Sequence, residues 1–302
     1  MLCRNVSLNS RGVVAISRTD REITAADQAR ALDAARAIAI PTQREVIHVI
    51  PRSYIVDGQE GIRDPIGLSG FRLEVETHIV TGAVTAIQNL IKCIQRAGVE
   101  IDDLVLQPLA SSEAVLSDAE KEMGVILVDC GGGTTDVAVF IDGSIWHTVV
   151  LPVGGNHISN DIAIILRTPF DVAEYLKIKH GRARPLPDSI EGGEGDQIEA
   201  EAFVGMKKRT ISRALLHQVI EARVEEMFQM LKAEVRRVGY EGLLPAGVVL
   251  TGGTALLPGI EEAAREVMNM PVRIGIPGGL GGLADAIDSP AYATGVGLVR
   301  WG

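Results

Sequence analysis

The sequence predicts an α/β fold in which apolar strands run straight into glycine turns and then into helices or further strands. Two stretches carry this prediction: Val125–Asp136, reading VILVDCGGGTTD, and Gly247–Thr254, reading GVVLTGGT. Two long segments, Ala83–Arg96 and Ile211–Val238, repeat apolar residues at helical spacing and supply the α component.

Taken in order, Gly12–Ser17 is strand-like. Thr24 caps a helix over Gln28–Ala39, with Asp27 at the capping-box position and Pro41 as its stop. Glu45–Ile50 and Ser53–Val56 read as strands parted by Pro51, Ile62–Gly70 as a loop, and Arg72–Val80 as a strand. The helix Ala83–Arg96 ends before Gly98. Leu104–Leu106 reads as a short strand leading through Gln107 and Pro108 into a helix over Ala110–Leu116.

Val125–Asp129 and Val137–Ile141 then flank the glycine loop, and Asp142-Gly143 turns the chain into Ile145–Leu151. Gly154-Gly155-Asn156 precedes a helix over Ile158–Leu166, and Pro169 opens another that runs to His180. Arg182–Gln197 is a Pro-, Gly- and acid-rich loop. Ile198–Phe203 is a strand, and Lys207–Arg209 a basic cluster before the long helix Ile211–Val238. The strand Gly247–Leu250, the helix Ile260–Met268, the strand Val272–Ile276, the loop Pro277–Gly282 and the helix Ala291–Val299 complete the chain.

Composition excludes some functions. A net charge of −10 argues against a general nucleic-acid binder. Cys3, Cys93 and Cys130 have no CxxC spacing and fit a reducing compartment. The six histidines lack metal-ligand spacing. Apolar stretches such as Leu243–Leu257 are broken by Gly and Pro and are too short to span a membrane.

The chemistry concentrates in the glycine turns. Gly131, Gly132 and Gly133 carry no Cβ, so their backbone N–H groups can close on an anion, and the hydroxyls of Thr134 and Thr135 add donors. Asp129 and Asp136 flank this nest with negative charge, which suits a phosphate only when a cation stands between. Mg²⁺ held through water fits that arrangement. Gly154, Gly155 and Asn156 ahead of a helix, and Gly252, Gly253 and Thr254 after a strand, form two further turns able to face a ligand. Each turn taken alone is also consistent with ordinary strand and helix connections.

With three glycine turns after strands, the chain resembles the actin, Hsp70 and sugar-kinase superfamily. Asp129–Asp136 is similar to its second phosphate loop. Thr251-Gly252-Gly253-Thr254 with Leu257-Pro258-Gly259 is similar to its adenosine loop, and Gln107 with Pro108–Ser112 to its first connecting segment. Within the superfamily the chain resembles FtsA-type bacterial division proteins. The resemblance rests on Asn9–Gly12, His48–Pro51, Gly67–Gly70, Leu109–Ser112, Gly154–Ile158, Lys177–Gly181 and Val272–Gly275, spread over nearly the whole length.

The resemblance implies an actin-like (ribonuclease H-like) two-lobed ATPase fold with ATP or ADP and Mg²⁺ in its cleft. It implies a first-lobe core at 1–18 and 73–152, an inserted α+β subdomain at 19–72, a second-lobe base at 153–166 and 247–302, and a second-lobe tip at 167–246. It assigns Gln107 to the hydrolytic water, Asp129 to Mg²⁺ through water, and Asp136 to the same shell. It gives the phosphates to Gly131–Thr135 and the ribose to Lys177. It further implies self-association into filaments, binding of the C-terminal tail of FtsZ at the tip, contacts with other division proteins, and a cytoplasmic location at the division site. The arginines of the tip helix, Arg213, Arg223, Arg236 and Arg237, suit an acidic tail, or else pair with Glu221, Glu225, Glu226 and Glu234.

FtsA-type proteins begin with an Asp-x-Gly-(Ser/Thr) phosphate loop, and none precedes Asn9–Gly12. They end in an amphipathic membrane helix, and none follows Trp301-Gly302. The expectation is a chain shortened at both ends, with weakened nucleotide binding and only indirect membrane attachment. Two alternatives share the fold: a sugar-kinase-like phosphotransferase, and a pilus-assembly actin-like interaction module.

Overall fold

The computed structural model describes residues 6–17, 21–184, 197–200, 209–279, 281 and 287–301. The chain falls into two compact units: Met1–Leu106 with Ala138–Val149, and Gln107–Val137 with Val150–Gly302.

The first unit is built on a four-stranded antiparallel sheet of order β1-β4-β2-β3, from Val6–Ala15 (β1), Arg44–Val56 (β2), Gln59–Ile62 (β3) and Arg72–Ala83 (β4). Helix α1 (Ala25–Arg36) packs against it over Ile16, Ile23, Ala31, Ala35, Tyr54, Val56, Leu73 and Val75. The Thr24–Asp27 capping box forms as the sequence predicts, with the helix starting and ending three residues earlier. The two strands expected on either side of Pro51 are one strand. Pro51 pairs with Thr77 of β4 next to a register shift at 51–53, the kind of irregularity at which a strand accepts proline. Helix α2 is Val84–Arg96, while Leu104–Leu106 is not a strand.

The second unit begins with α3 (Gln107–Val115) and α4 (Asp118–Met123), the latter set by an unanticipated Ser117–Glu120 capping box. Then follow β5 (Val125–Cys130), β6 (Thr135–Ile141) and β7 (Ser144–Leu151), of which residues 138–149 belong to the first unit, and then α5 (Gly155–Leu166) and α6 (Phe170–His180). After these come β8 (Gln197–Ala200), β9 (Arg209–Ser212), α7 (Arg213–Arg237), β10 (Gly247–Thr251), α8 (Ile260–Met268), β11 (Val272–Ile274) and α9 (Ala293–Arg300). Within this unit β11, β10 and β5 lie side by side in that order. β5 pairs with β10 in parallel, Asp129 opposite Thr251. The expected turn at Asp142-Gly143 forms, both residues having positive φ.

β5 is buried at every position, as is β10, so the sheet is the floor on which the glycine turns stand. α7 begins at Arg213 rather than Ile211, because Ile211 and Ser212 pair with β8 and Ser212 caps the helix. Lys207, Lys208, most of the loop 182–197, and residues 201–203 of the expected strand lie outside the described residues, as does part of the loop 277–282.

Candidate functional site

The three glycine turns lie in the second unit and are joined to one another. The N–H of Gly131 donates to the carbonyl of Thr134 at 2.9 Å, which closes the loop between β5 and β6. The carbonyl of Gly131 accepts from the N–H of Gly155 at 3.0 Å and from Thr254 Oγ1 at 2.9 Å. The carbonyl of Gly132 accepts from the N–H of Asn156 at 2.7 Å. The first amides of α5 are thus spent on the loop rather than left open, and Gly154 N–H donates to His157 Nδ1 at 3.1 Å. Both threonine hydroxyls also donate within the protein, Thr134 to Asp136 Oδ2 at 3.1 Å and Thr135 to the carbonyl of Val153 at 2.8 Å. The N–H groups of Gly132 and Gly133 donate to no described residue, and Gly132 is exposed.

Glycine is required at these approaches for space. A Cβ on Gly155 would lie 2.6 Å from Thr254 Oγ1, and one on Gly154 would lie 2.6 Å from the carbonyl of Gly131. Gly252 has φ +85°, and a Cβ there would lie 2.5 Å from Asp129 Oδ1. Gly253 opens a 3₁₀ turn, Gly253–Leu256, that carries Thr254 toward the loop.

A cavity of about 340 Å³ opens beside the turns. It is lined by Gly132, Gly155 and Asn156 at a polar end, by Glu174 and Lys177, and by an apolar wall of Ile178, Leu256, Leu257 and Pro258. Lys177 Nζ donates to the carbonyl of Gly155 at 3.0 Å and to Glu174 Oε2 at 2.7 Å. Burial acts to raise the Glu174 carboxyl, but the bonds from Lys177 and Ser159 outweigh it and hold the group below its ordinary range. Glu174 is a lining residue that sequence analysis missed. Its signal was the three-residue step to Lys177, which puts both side chains on one face of α6.

The two aspartates sit at the base of the loop. Asp129 is 2% exposed, and its Oδ2 accepts from Ser111 at 2.7 Å and Thr294 at 3.0 Å. Asp136 is 6% exposed. Burial, with the neighbouring Asp129 charge, pushes its carboxyl up to about 6 against the bond from Thr134. Cys130 between strand and loop is wholly buried, and burial pushes its thiol up to about 12, so it is an inert packing residue. Among the described residues no cluster of three His, Cys, Asp or Glu could cage a metal. Two adjacent carboxylates without a third ligand fit Mg²⁺ held through water and a phosphate ligand, because Mg²⁺ keeps several waters. Gln107 opens α3, one turn before Ser111, and is half-buried.

No described helix is long and apolar enough to cross a membrane.

Comparison with known proteins places this geometry. The family model described as Cell division protein FtsA matches residues 126–297, and that described as SHS2 domain inserted in FTSA matches residues 5–81. The cell division protein FtsA of Pseudomonas aeruginosa is 49% identical over 296 residues, covering 98% of this chain and 70% of the relative. That of Neisseria meningitidis is 45% identical, covering 97% and 70%, and that of Bacillus subtilis is 40% identical, covering 97% and 64%. Among solved structures, MreB5 of Spiroplasma citri bound to ADP superposes with a TM-score of 0.59 at 20% identity, over 72% of this chain and 65% of that one. The PilM–PilN type IV pilus biogenesis complex gives 0.67 at 14% identity, over 98% and 76%. The fold is therefore the actin-like one, with the FtsA-type insertion, and the chain belongs to the FtsA family of cell division proteins.

Proposed function

We propose that this chain binds ATP and ADP as their Mg²⁺ complexes at the joined glycine turns, and that it serves division by linking FtsZ filaments to the membrane and by self-association into filaments. The observation that carries the nucleotide part is the cavity itself. Three backbone turns from separate strands meet at its polar end, and an apolar wall closes the other. Its volume falls in the range of small-molecule sites, ~300–1,000 Å³.

The phosphates fit against Gly132 and Gly133, whose N–H groups remain available, with Lys177 supplying positive charge. Glu174 and Lys177 offer an acceptor and a donor to ribose hydroxyls, and Ile178, Leu256, Leu257 and Pro258 offer a face to the base. Asp129 would hold Mg²⁺ through water and Asp136 would order the same shell. The ion supplies charge neutralisation to the phosphates. Gln107 would orient a water for hydrolysis. The ADP in the MreB5 structure is consistent with such a site in this fold.

The partner surface belongs to residues 167–246, proposed as the second-lobe tip that receives the FtsZ tail. The arginines there are already engaged: Arg223 with Asp161 and Glu226, Arg236 with Glu241 at 2.6 Å, and Arg237 with Glu234 at 2.5 Å. An exposed pair such as Arg236–Glu241 is worth about 0.2–1 kcal/mol, so an acidic tail can displace it. Membrane attachment is proposed to be indirect, through partners.

Calorimetry with ADP tests the nucleotide reading. Saturable binding is expected for the parent chain and none for Gly132→Val; a folded parent that binds neither ADP nor ATP overturns it. Titration of a labelled FtsZ tail peptide tests the adaptor reading. Weak binding that falls with salt and with charge reversal at Arg236 and Arg237 is expected, and no binding at high micromolar protein overturns it.

A further inference from the structure

The buried carboxylate of Asp129 is gripped from two helices that come from opposite ends of the second unit. Ser111 Oγ, on α3, donates to Oδ2 at 2.7 Å, and Thr294 Oγ1, on α9, reaches the same oxygen at 3.0 Å. The two hydroxyls lie 3.0 Å apart. Ser111 is fully buried and Asp129 nearly so. Oδ1 receives no hydrogen bond from the described residues and lies against Gly252, where a Cβ would come within 2.5 Å.

This arrangement is asymmetric in a way that packing does not need. A buried carboxylate has about four acceptor positions, and satisfying its charge would spread donors over both oxygens. Here both donors converge on one oxygen, and the other lies close against Gly252, a residue with no side chain to cover it. Two donors on one oxygen fix the carboxylate plane, so the direction of the free oxygen is set by α3 and α9 rather than by Asp129 alone.

We infer that Ser111 and Thr294 are positioning residues for the cation at this site: they hold Asp129 so that Oδ1 points to the hydration shell of a nucleotide-bound Mg²⁺. The inference rests on the nucleotide reading above and adds to it that the hydroxyls act through Asp129 on the cation, without touching the nucleotide. Their removal should then weaken only the part of nucleotide binding that depends on Mg²⁺.

The test compares ADP affinity by calorimetry in Mg²⁺ and in EDTA for the parent chain, Ser111→Ala, Thr294→Val, the double variant, and Thr294→Ser. Loss of a hydrogen bond to a charged group predicts a roughly tenfold weaker affinity in Mg²⁺ for each single variant. Affinity in EDTA should stay at the parent value, and Thr294→Ser, which keeps the hydroxyl, should behave as the parent. Thermal melting establishes that each variant is folded. A folded double variant with the parent's full Mg²⁺ increment overturns the positioning role while leaving the nucleotide reading intact. An equal loss in Mg²⁺ and EDTA overturns it too, in favour of a general packing role. A parent chain that binds no ADP under either condition overturns the nucleotide reading, and the positioning role with it.

Discussion

Thr254 Oγ1 donates to the carbonyl of Gly131 across 2.9 Å, so the turn after β10 is fastened to the turn after β5 before any ligand arrives. The same carbonyl accepts from Gly155 N–H, which makes one backbone oxygen the meeting point of all three glycine turns. The cavity wall is therefore pre-organised, and binding does not have to order it.

Cutting that fastening should be felt in affinity more than in stability. Thr254→Val keeps the shape and loses the bond, and we expect ADP binding to weaken by roughly three- to tenfold, about 1 kcal/mol. Calorimetry alongside a melting curve separates the two effects; a shift in melting with unchanged affinity would count against a shared ligand surface.

Gly132→Val should abolish nucleotide binding in a chain that still folds. None of Gly131, Gly132 and Gly133 has left-handed φ, so the need here is for space and not for an unusual backbone. A Cβ on Gly132 would lie 3.3 Å from Asn156 Oδ1, and the branched methyls would stand in the cavity. Retained binding at the parent affinity would show that the phosphates lie elsewhere.

Asp136 should make stability depend on pH over a defined window. Its folded-state value of about 6 stands above the ordinary 3.8, because burial and Asp129 disfavour its charge. Between those values the folded chain holds a proton that the unfolded chain has released, so the contribution of Asp136 is present below about pH 4 and is lost as pH rises through 6. Asp136→Asn should remove this slope and raise stability at neutral pH by on the order of 1–3 kcal/mol. Denaturant titrations of parent and variant from pH 4 to 7 test it, and parallel curves would refute it. Asp27 and Glu120, both held at about 2, act in the opposite sense. Their contributions are present above pH 4–5 and are lost toward pH 2.

Gly297→Ala should be costly out of proportion to its size. A Cβ at Gly297 would lie 1.7 Å from the carbonyl of Ala110, so α3 and α9 would have to part. We expect a loss of about 2 kcal/mol or more, as overpacking produces. Because Ser111 and Thr294 ride on these helices, the Mg²⁺ dependence of ADP binding should fall as well. A melting midpoint equal to the parent's would contradict the tight crossing.

Local signals were legible where one residue type has one job. Thr24 with Asp27, Asp142-Gly143 and the helix Ile260–Met268 appear where the residues said they would, because capping, left-handed turns and amphipathic spacing are decided within a few residues. The glycine turn between β5 and β6 was legible for the same reason. What escaped was settled by distant partners. The pairing of β5 with β10 is a contact between residues more than a hundred positions apart, and no local pattern states it. The hydroxyls of Thr134 and Thr135 looked free for a ligand, yet Asp136 and Val153 take them. Ser111 and Thr294 stand 183 positions apart, and only folding brings them to the same carboxylate oxygen.

Pro51 in β2 has a consequence for the company the first unit keeps. β3 pairs with β2 at Tyr54 and Val56, so on this flank the β2–β3 ladder does not reach back to Pro51. Such a flank is a template on which another copy could add a strand and begin a cross-β stack. Pro51 offers no N–H to an incoming chain, the register shifts beside it twist the flank, and Ser144 Oγ donates to the carbonyl of Arg52 at 3.2 Å. Together they act as a gatekeeper that denies indiscriminate aggregation through this flank.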